Sequence, residues 1–239
     1  MRSHILCVLA VAAVLTCGLS GSASADIIIY QDDFPGTTLG ADWTFSQTNG
    51  TVTVADSKVV LSTPGGGGWN HADLLSTTQF TASQDATFTF KLGAHPYGPN
   101  SIFGLSNSRG GGMPGILLRT DAAPGYWELY VGDGTTLDRH TVIPLTALQT
   151  DETVAIHWNT AGVGVEVRDS GGTLLYTIQS TVSPTGPLGF SLLAGSYEAG
   201  AALVNFDSVT VTVIPEPSTL ALLATGLLGL LCYAWRKRK

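Results

Sequence analysis

Apolar residues recur at every second position through most of residues 26–213, and this period constrains the fold more than any other feature of the chain. Residues 87–92 (TFTFKL), 163–168 (VGVEVR) and 208–213 (SVTVTV) alternate strictly. Alternation places one set of side chains on each face of a strand, whereas an amphipathic helix needs a period of about 3.6 residues, which is almost absent here. The sequence therefore predicts an all-β fold.

The same pattern, read between turn signals, predicts about fifteen strands. The short glycine-containing segments 159–162 (NTAG) and 169–172 (DSGG) are typical of hairpin turns, and residues 144–151 are predicted to form a loop, with one helical turn as an option. Many short strands with one apolar face indicate two antiparallel sheets packed as a β-sandwich. The expected strands are 27–30, 43–45, 51–54, 58–62, 74–80, 87–92, 101–105, 116–119, 126–131, 153–158, 163–168, 173–178, 188–193, 202–206 and 208–213.

The N-terminal residues 1–25 have the three parts of a secretory signal peptide. Arg2 supplies a basic start, residues 5–19 supply an apolar core, and Ala23-Ser24-Ala25 is a small-x-small cleavage site. The mature chain is therefore expected to begin at Asp26. A lipoprotein signal that uses Cys17 is the alternative.

The C-terminal residues 214–239 combine a short motif, an apolar run and a basic end. Pro215, Glu216 and Pro217 precede eighteen uncharged residues, 218–235, and four cations, 236–239. Eighteen helical residues reach about 27 Å at about 1.5 Å each, close to the roughly 30 Å of a bilayer's hydrocarbon core. The sequence predicts one transmembrane helix with its basic end in the cytoplasm, so that residues 26–213 lie on the other side of the membrane.

This order of motif, span and basic end resembles the PEP-CTERM sorting signal of Gram-negative bacteria that secrete exopolysaccharide. The resemblance implies anchoring in the inner membrane, processing by an exosortase near Pro215-Glu216-Pro217, and delivery to the cell surface or extracellular matrix. The alternative is an ordinary C-terminal membrane anchor that follows two prolines.

Residues 26–213 form an acidic segment of one domain's length. They contain six Lys or Arg and seventeen Asp or Glu, which gives a formal charge of −11. This charge makes nucleic acid an improbable partner and makes divalent cations plausible ligands. All three cysteines lie outside this segment, which excludes a disulfide framework, a cysteine-zinc site and a thiol nucleophile within it.

Short sequence motifs spread over residues 26–213 resemble those of the concanavalin A-like lectin and glucanase jelly rolls, including laminin G-like modules. These motifs are Asp32-Asp33-Phe34, Trp43, 58–61 (KVVL) and 205–209 (NFDSV). The resemblance implies a jelly roll in which the first and last strands lie side by side. A generic β-sandwich is the alternative, and the family contains both enzymes and binding modules.

Retaining glucanases of this fold carry carboxylates at alternate positions of one strand, because acid/base and nucleophile must lie about 5 Å apart. No glutamate of residues 26–213 has another carboxylate two positions away, and the H-E-x-x-H and G-x-S-x-G motifs are absent. The sequence therefore favours a protein that is not an enzyme, although a catalyst assembled from distant residues stays open.

Candidate ligand-binding residues are aromatic and polar side chains on one strand and two loops. Along residues 126–131, alternation predicts that Tyr126, Glu128 and Tyr130 face solvent, and that Trp127 faces the core, as Trp43 and Trp158 also do. Tyrosine rings can stack on sugars, and a carboxylate accepts hydrogen bonds from hydroxyl groups. Trp69 in loop 65–73 and Tyr97 in loop 95–100 offer similar chemistry.

We therefore expect a non-catalytic glycan-binding module associated with exopolysaccharide. A structural matrix protein without a specific ligand, and a polysaccharide-degrading enzyme with a dispersed site, are the alternatives. For each aromatic residue, a purely structural role is the alternative, because tyrosines also form cross-strand pairs and a tryptophan can pin its own loop.

A structural Ca²⁺ site is predicted at Asp33 and Asp207, on the strands that the resemblance places side by side. Ca²⁺ prefers six to eight oxygen ligands, which suits an acidic segment without cysteine. The alternative is that Asp33 begins a turn and Asp207 lies on a solvated strand face.

Overall fold

The computed structural model describes residues 26–66, 68–82, 86–93, 101–110, 112–120, 125–144, 151–196 and 201–213, and residues 226–231, 235 and 237 near the C-terminus. Within these residues the chain forms fifteen β-strands. They are β1 (Ile27–Asp32), β2 (Trp43–Thr48), β3 (Thr51–Ala55), β4 (Lys58–Thr63), β5 (Asn70–Ser76), β6 (Ala86–Leu92), β7 (Ser101–Ser106), β8 (Gly115–Arg119), β9 (Tyr126–Gly132), β10 (Leu137–Pro144), β11 (Thr153–Asn159), β12 (Gly162–Arg168), β13 (Leu174–Ser180), β14 (Gly189–Ser196) and β15 (Ala202–Val213).

The strands form two antiparallel sheets within one compact unit, Ile28–Val213. The eight-stranded sheet has the order β13-β12-β11-β6-β15-β4-β3, with β1 also paired to β15. The seven-stranded sheet has the order β10-β9-β8-β7-β14-β5-β2. The predicted all-β sandwich is confirmed, and its first and last strands are neighbours.

The core lies between the sheets and is rich in aromatic rings. Phe190 on β14 contacts Phe88 and Phe90 on β6, with ring centroids 6.0 and 5.3 Å apart. Trp127 and Trp158 are almost fully buried, as predicted. Since edge-to-face aromatic pairs add to area burial, these contacts stabilise the packing of one sheet on the other.

Strand β10 was not predicted from the sequence, because its alternation is broken. Asp138 and His140 occupy inward positions, in register with the buried Val131 and Leu129 of β9. Asp138 Oδ2 accepts a hydrogen bond from Ser180 Oγ at 2.7 Å and lies 2.9 Å from His140 Nε2. Because Ser180 belongs to β13, this bond joins the edge strands of the two sheets.

Strand β5 begins four residues earlier than the sequence predicts, at Asn70. Asn70 and Ala72 are buried along with Leu74, so the alternation extends back through residues expected to form a loop. His71 and Asp73 therefore lie on the opposite, outward face of a strand.

Near the C-terminus, residues 226–231 are helical, as are residues 235 and 237. In the described part of the chain, no helix has the length and hydropathy needed to span a membrane. Residues 1–25 and the motif Pro215-Glu216-Pro217 lie outside the described residues, and so do the cleavage and processing predictions made for them.

Candidate functional site

The outer face of the seven-stranded sheet carries most of the predicted ligand-binding residues. Strand register aligns its outward side chains in rows that cross the sheet. From β9 to β2 one row contains Glu128, Arg119, Ile102, Leu193, Asp73 and Ser46. From β10 to β5 the next row contains Arg139, Tyr130, Leu117, Gly104, Ser191 and Leu75.

Trp69 lies on this face, directly before β5. Its ring stacks on the ring of His71, with centroids 5.9 Å apart and an interplanar angle of 21°. A Cβ atom added to Gly195 on β14 would lie only 2.5 Å from the indole, so the ring rests on bare backbone. Trp69 is half-buried and forms an aromatic platform at one end of the face.

Asp73 is buried beneath two basic side chains. Its Oδ2 lies 3.5 Å from His71 Nε2, and its Oδ1 lies 3.9 Å from Arg109 Nε. Burial raises the pKa of Asp73, and the charges of His71 and Arg109 oppose that rise. Arg109, in the β7–β8 turn, also donates from Nη1 to the carbonyl of Phe45 on β2 at 3.1 Å. These side chains form a polar cluster beside the Trp69 ring.

The strand Tyr126–Gly132 keeps its predicted alternation, but two of its three outward residues are not exposed. Tyr126 is 45% exposed, whereas Glu128 and Tyr130 are only 8% and 5% exposed. The expectation that Glu128 and Tyr130 face solvent was therefore wrong. Tyr130 packs in an outer apolar cluster with Ile102, Leu117 and Leu193, against which Trp69 and Met113 lie.

Two arginines flank Tyr130 from the neighbouring strands. The Cζ atoms of Arg119 and Arg139 lie 4.9 and 4.8 Å from the centroid of the tyrosine ring. Burial, and a hydrogen bond to Glu128, raise the pKa of the Tyr130 hydroxyl. Sequence reasoning missed both arginines: alternation along β8 could have placed Arg119 on the outer face, but Arg139 lies on the strand that was not recognised.

The buried carboxylates of Asp73 and Glu128 share a row but are far apart. Four strand spacings separate β9 from β5. At about 4.8 Å per spacing, this is about 19 Å along the sheet, compared with roughly 5–9.5 Å for the paired carboxyl groups of glycosidases. Asp73 and Glu128 therefore do not form a hydrolytic pair.

The predicted calcium ligands do not fit a metal site. Lys58 Nζ and Lys91 Nζ lie 3.0 and 3.4 Å from the carboxylate oxygens of Asp207, so two cations already neutralise it. Asp33 Oδ2 accepts a hydrogen bond from Gln31 Nε2 at 2.8 Å. Among the residues that the structure describes, no group of three or more His, Cys, Asp or Glu side chains could hold a metal ion.

Two elements of the predicted site lie outside the described residues. Tyr97 and the rest of loop 95–100 belong to this part of the chain, and Gly67 of the glycine run does as well. The ligand-binding role expected of Tyr97 therefore stays a prediction from sequence.

In the comparison with protein-family models, residues 213–239 match the PEP-CTERM protein-sorting motif. The C-terminal segment is a PEP-CTERM motif. Such a motif indicates an exported protein that is anchored in the membrane before exosortase processing. The match covers the sorting segment and includes only Val213, the last residue of β15, from the sandwich. Comparison with curated protein sequences gives no match.

Solved structures resemble the sandwich at low sequence identity. The exoplasmic/lumenal domain of VIP36 with Ca²⁺ and Man3GlcNAc bound is 16% identical, with a TM-score of 0.55, covering 76% of this chain and 87% of its own. The CBM2 module of the evolved Dit of Lactobacillus casei BL23 phage J-1 is 12% identical, with a TM-score of 0.57, covering 80% and 97%. A GlcNAcα1-4Gal-releasing endo-β-galactosidase from Clostridium perfringens is 11% identical, with a TM-score of 0.52, covering 80% and 64%.

These neighbours confirm the concanavalin A-like jelly-roll fold that the short sequence motifs suggested. At such identities the likeness concerns the fold alone. Because a sugar-bound domain and a glycan-cleaving enzyme both occur among them, the fold does not decide between binding and catalysis.

Proposed function

We propose that this protein is exported, processed by an exosortase, and binds a glycan on the outer face of its seven-stranded sheet. The observation that carries the proposal is the distribution of aromatic side chains. The Trp69 ring lies on this face, and the exposed ring of Tyr126 projects from the same face. Aromatic rings beside a few oriented polar groups are the usual composition of a sugar-binding surface.

The positions of the two rings suit an extended ligand. Tyr126 lies two residues before Glu128 on β9, and His71, on which the Trp69 ring stacks, lies two residues before Asp73 on β5. Because Glu128 and Asp73 belong to the same row, the rings of Tyr126 and Trp69 lie at the same end of the sheet. The indole rests on β14, three strands from β9, which is about 14 Å along the sheet. A ligand that contacts both rings must therefore be longer than a single sugar ring.

The outer face of the eight-stranded sheet has a different composition. In seven of its eight strands, β3, β4, β6, β11, β12, β13 and β15, outward positions hold no Phe, Tyr or Trp. Threonine is the commonest outward residue there, at positions that include Thr53, Thr87, Thr89, Thr153, Thr210 and Thr212. These strands offer no aromatic ring on which a sugar could stack. Variants on this face can therefore serve as controls for variants on the seven-stranded sheet.

The PEP-CTERM motif supplies the cellular context. After removal of the C-terminal segment, the sandwich would act at the cell surface or in the extracellular matrix, where exopolysaccharide is the abundant glycan. The sugar-bound state of VIP36 and the CBM2 module of the phage Dit support a binding role for this fold.

A glycan screen with the full-length chain in detergent tests the proposal. We expect at least one polysaccharide fragment to bind, and Trp69→Ala and Tyr126→Ala each to weaken it by up to about tenfold, because a stacked ring contributes about 0.5–1.5 kcal/mol. The control variants Thr89→Ala and Thr210→Ala, on the other sheet, should bind normally. A protein that binds nothing in the screen would support a structural matrix role instead, and a protein that loses binding only in the control variants would bind its glycan on the eight-stranded sheet.

A further inference from the structure

Strand β1 begins with three isoleucines that the sandwich leaves uncovered. Ile27, Ile28 and Ile29 are 51%, 57% and 47% exposed, although isoleucine is among the residue types most often buried in proteins. Among the described residues of the sandwich, no other run of exposed large apolar side chains is as long. Tyr30, the next residue, already contacts Phe190 in the core, with ring centroids 5.7 Å apart. The core therefore reaches β1 at Tyr30 and does not cover the three residues before it.

Strand order places these isoleucines beside the last residues of β15. Strand β6 pairs with one edge of β15 over Phe206–Val213, and β4 pairs with the other edge over Ala202–Phe206. Strand β1 also pairs with β15, so it occupies the second edge beyond Phe206. Because the sheet is antiparallel, the start of β1 lies beside the end of β15.

The chain continues from both of these strand ends into segments expected at a membrane. The predicted signal peptide, residues 1–25, ends one residue before β1. Residues 213–239 match the PEP-CTERM motif, which indicates anchoring in the membrane before processing. The predicted span begins at Ser218, five residues after Val213, and five residues reach at most about 18 Å. Until the C-terminal segment is cut, the end of β15 therefore stays within about 18 Å of the hydrocarbon core, and the headgroups fill roughly 5–8 Å of that distance.

We propose that Ile27, Ile28 and Ile29 rest on the lipid surface while the C-terminal segment is intact. Contact with the interface removes their apolar surface from water, and it holds the sandwich next to the expected processing site, Pro215-Glu216-Pro217. The contact depends on the anchor. Even a whole myristoyl chain binds a membrane only marginally, so three partly exposed side chains cannot retain the sandwich once it is cut.

The charge of the domain favours lipid over a second copy of the chain. Residues 26–213 carry a formal charge of −11, so two copies repel each other. The same charge opposes attraction to anionic lipids. The contact is therefore apolar, and it should form on zwitterionic lipid and persist when salt is raised, unlike an electrostatic contact.

The test is photo-cross-linking of the full-length chain in phosphatidylcholine vesicles. A benzophenone amino acid replaces Ile28 in one sample and Leu175 in the other. Leu175 is the matched control, because it is 40% exposed and lies on β13, four strands from β15. We expect at least about tenfold more lipid cross-linking at position 28, since apolar burial of three half-exposed isoleucines favours the docked orientation by this factor or more.

Serine substitutions test the neighbouring side chains. With the label kept at position 28, Ile27→Ser together with Ile29→Ser should reduce lipid cross-linking several-fold, whereas Leu174→Ser, on β13, should leave it unchanged. All three substituted side chains are exposed, so Tm should stay within a few degrees of the wild type.

Two results overturn the inference. Equal lipid cross-linking at positions 28 and 175 would mean that the anchored sandwich has no preferred side toward the membrane. Cross-linking of position 28 to another protein chain in place of lipid would mean that a second copy covers the isoleucines. Neither result bears on glycan binding through Trp69 and Tyr126, which lie on the other sheet.

Discussion

Adding one methyl group beneath the Trp69 ring should move that ring without removing it. In Gly195→Ala, the new Cβ would lie 2.5 Å from Cη2 of Trp69 and 3.1 Å from Cζ3. Ordinary contacts begin at about 3.4 Å, so the ring must shift by about 1 Å. Overpacking costs about 1–3 kcal/mol, and we expect the lower end because half-buried Trp69 lies before β5, where it can tilt outward.

This perturbation has three expected readouts. The tryptophan emission of the full-length chain should shift to longer wavelength as the indole gains solvent contact, and Tm should fall by about 2–4 °C per kcal/mol. Glycan affinity should fall as well, because the stacking platform is displaced. Gly40→Ala is the matched control, since its added Cβ meets no atom within 4 Å. Unchanged emission and binding in Gly195→Ala would refute the placement of Trp69 on Gly195.

Three further predictions follow from other parts of the molecule. Tyr126→Ala should weaken glycan binding with little change in stability, because this residue is exposed. Tyr130→Ala should instead lower Tm by about 6–12 °C, because truncating a buried aromatic residue costs about 3 kcal/mol. Equal Tm values for the two variants would contradict this difference in burial. Hydrogen bonds from a serine and a histidine lower the pKa of Asp138 in the folded protein. The ionised carboxylate therefore contributes its full stabilisation above the unfolded-state pKa of about 3.9, and this stabilisation is lost as pH falls through the lower pKa of the folded state. Urea denaturation should accordingly show Asp138→Asn destabilised at pH 7 and closer to the wild type at pH 3, and a penalty that does not depend on pH would argue against the carboxylate. Intact mass of the protein from its native host should show a chain cut near residues 215–217, whereas a chain that ends at Lys239 would indicate a plain anchor.

The fold was accessible from the sequence because the solvent face and the core face of most strands differ in polarity. Where they do not differ, the prediction failed. Asp138 and His140 point inward on β10 because Ser180 on the facing edge strand satisfies the carboxylate, and this partner is 42 residues away in the sequence. No local pattern reports such a long-range bond.

The site was less accessible for a related reason. Alternation identifies the face to which a side chain projects, but not whether other residues cover that face. Tyr130 projects outward as predicted, yet Ile102, Leu117 and Leu193 from three other strands surround it. The proximity of Arg119 and Arg139 likewise depends on strand order, which is a property of the assembled sheet.

A glycan bound to the outer face of the seven-stranded sheet should protect the backbone amides of that sheet from exchange. This can be measured by hydrogen–deuterium exchange of the full-length chain, with and without a bound glycan from the screen. We expect slower exchange in Asn70–Ser76, Gly115–Arg119 and Tyr126–Gly132, and unchanged exchange in Ala86–Leu92 and Thr153–Asn159. Protection confined to the eight-stranded sheet would contradict binding to this face.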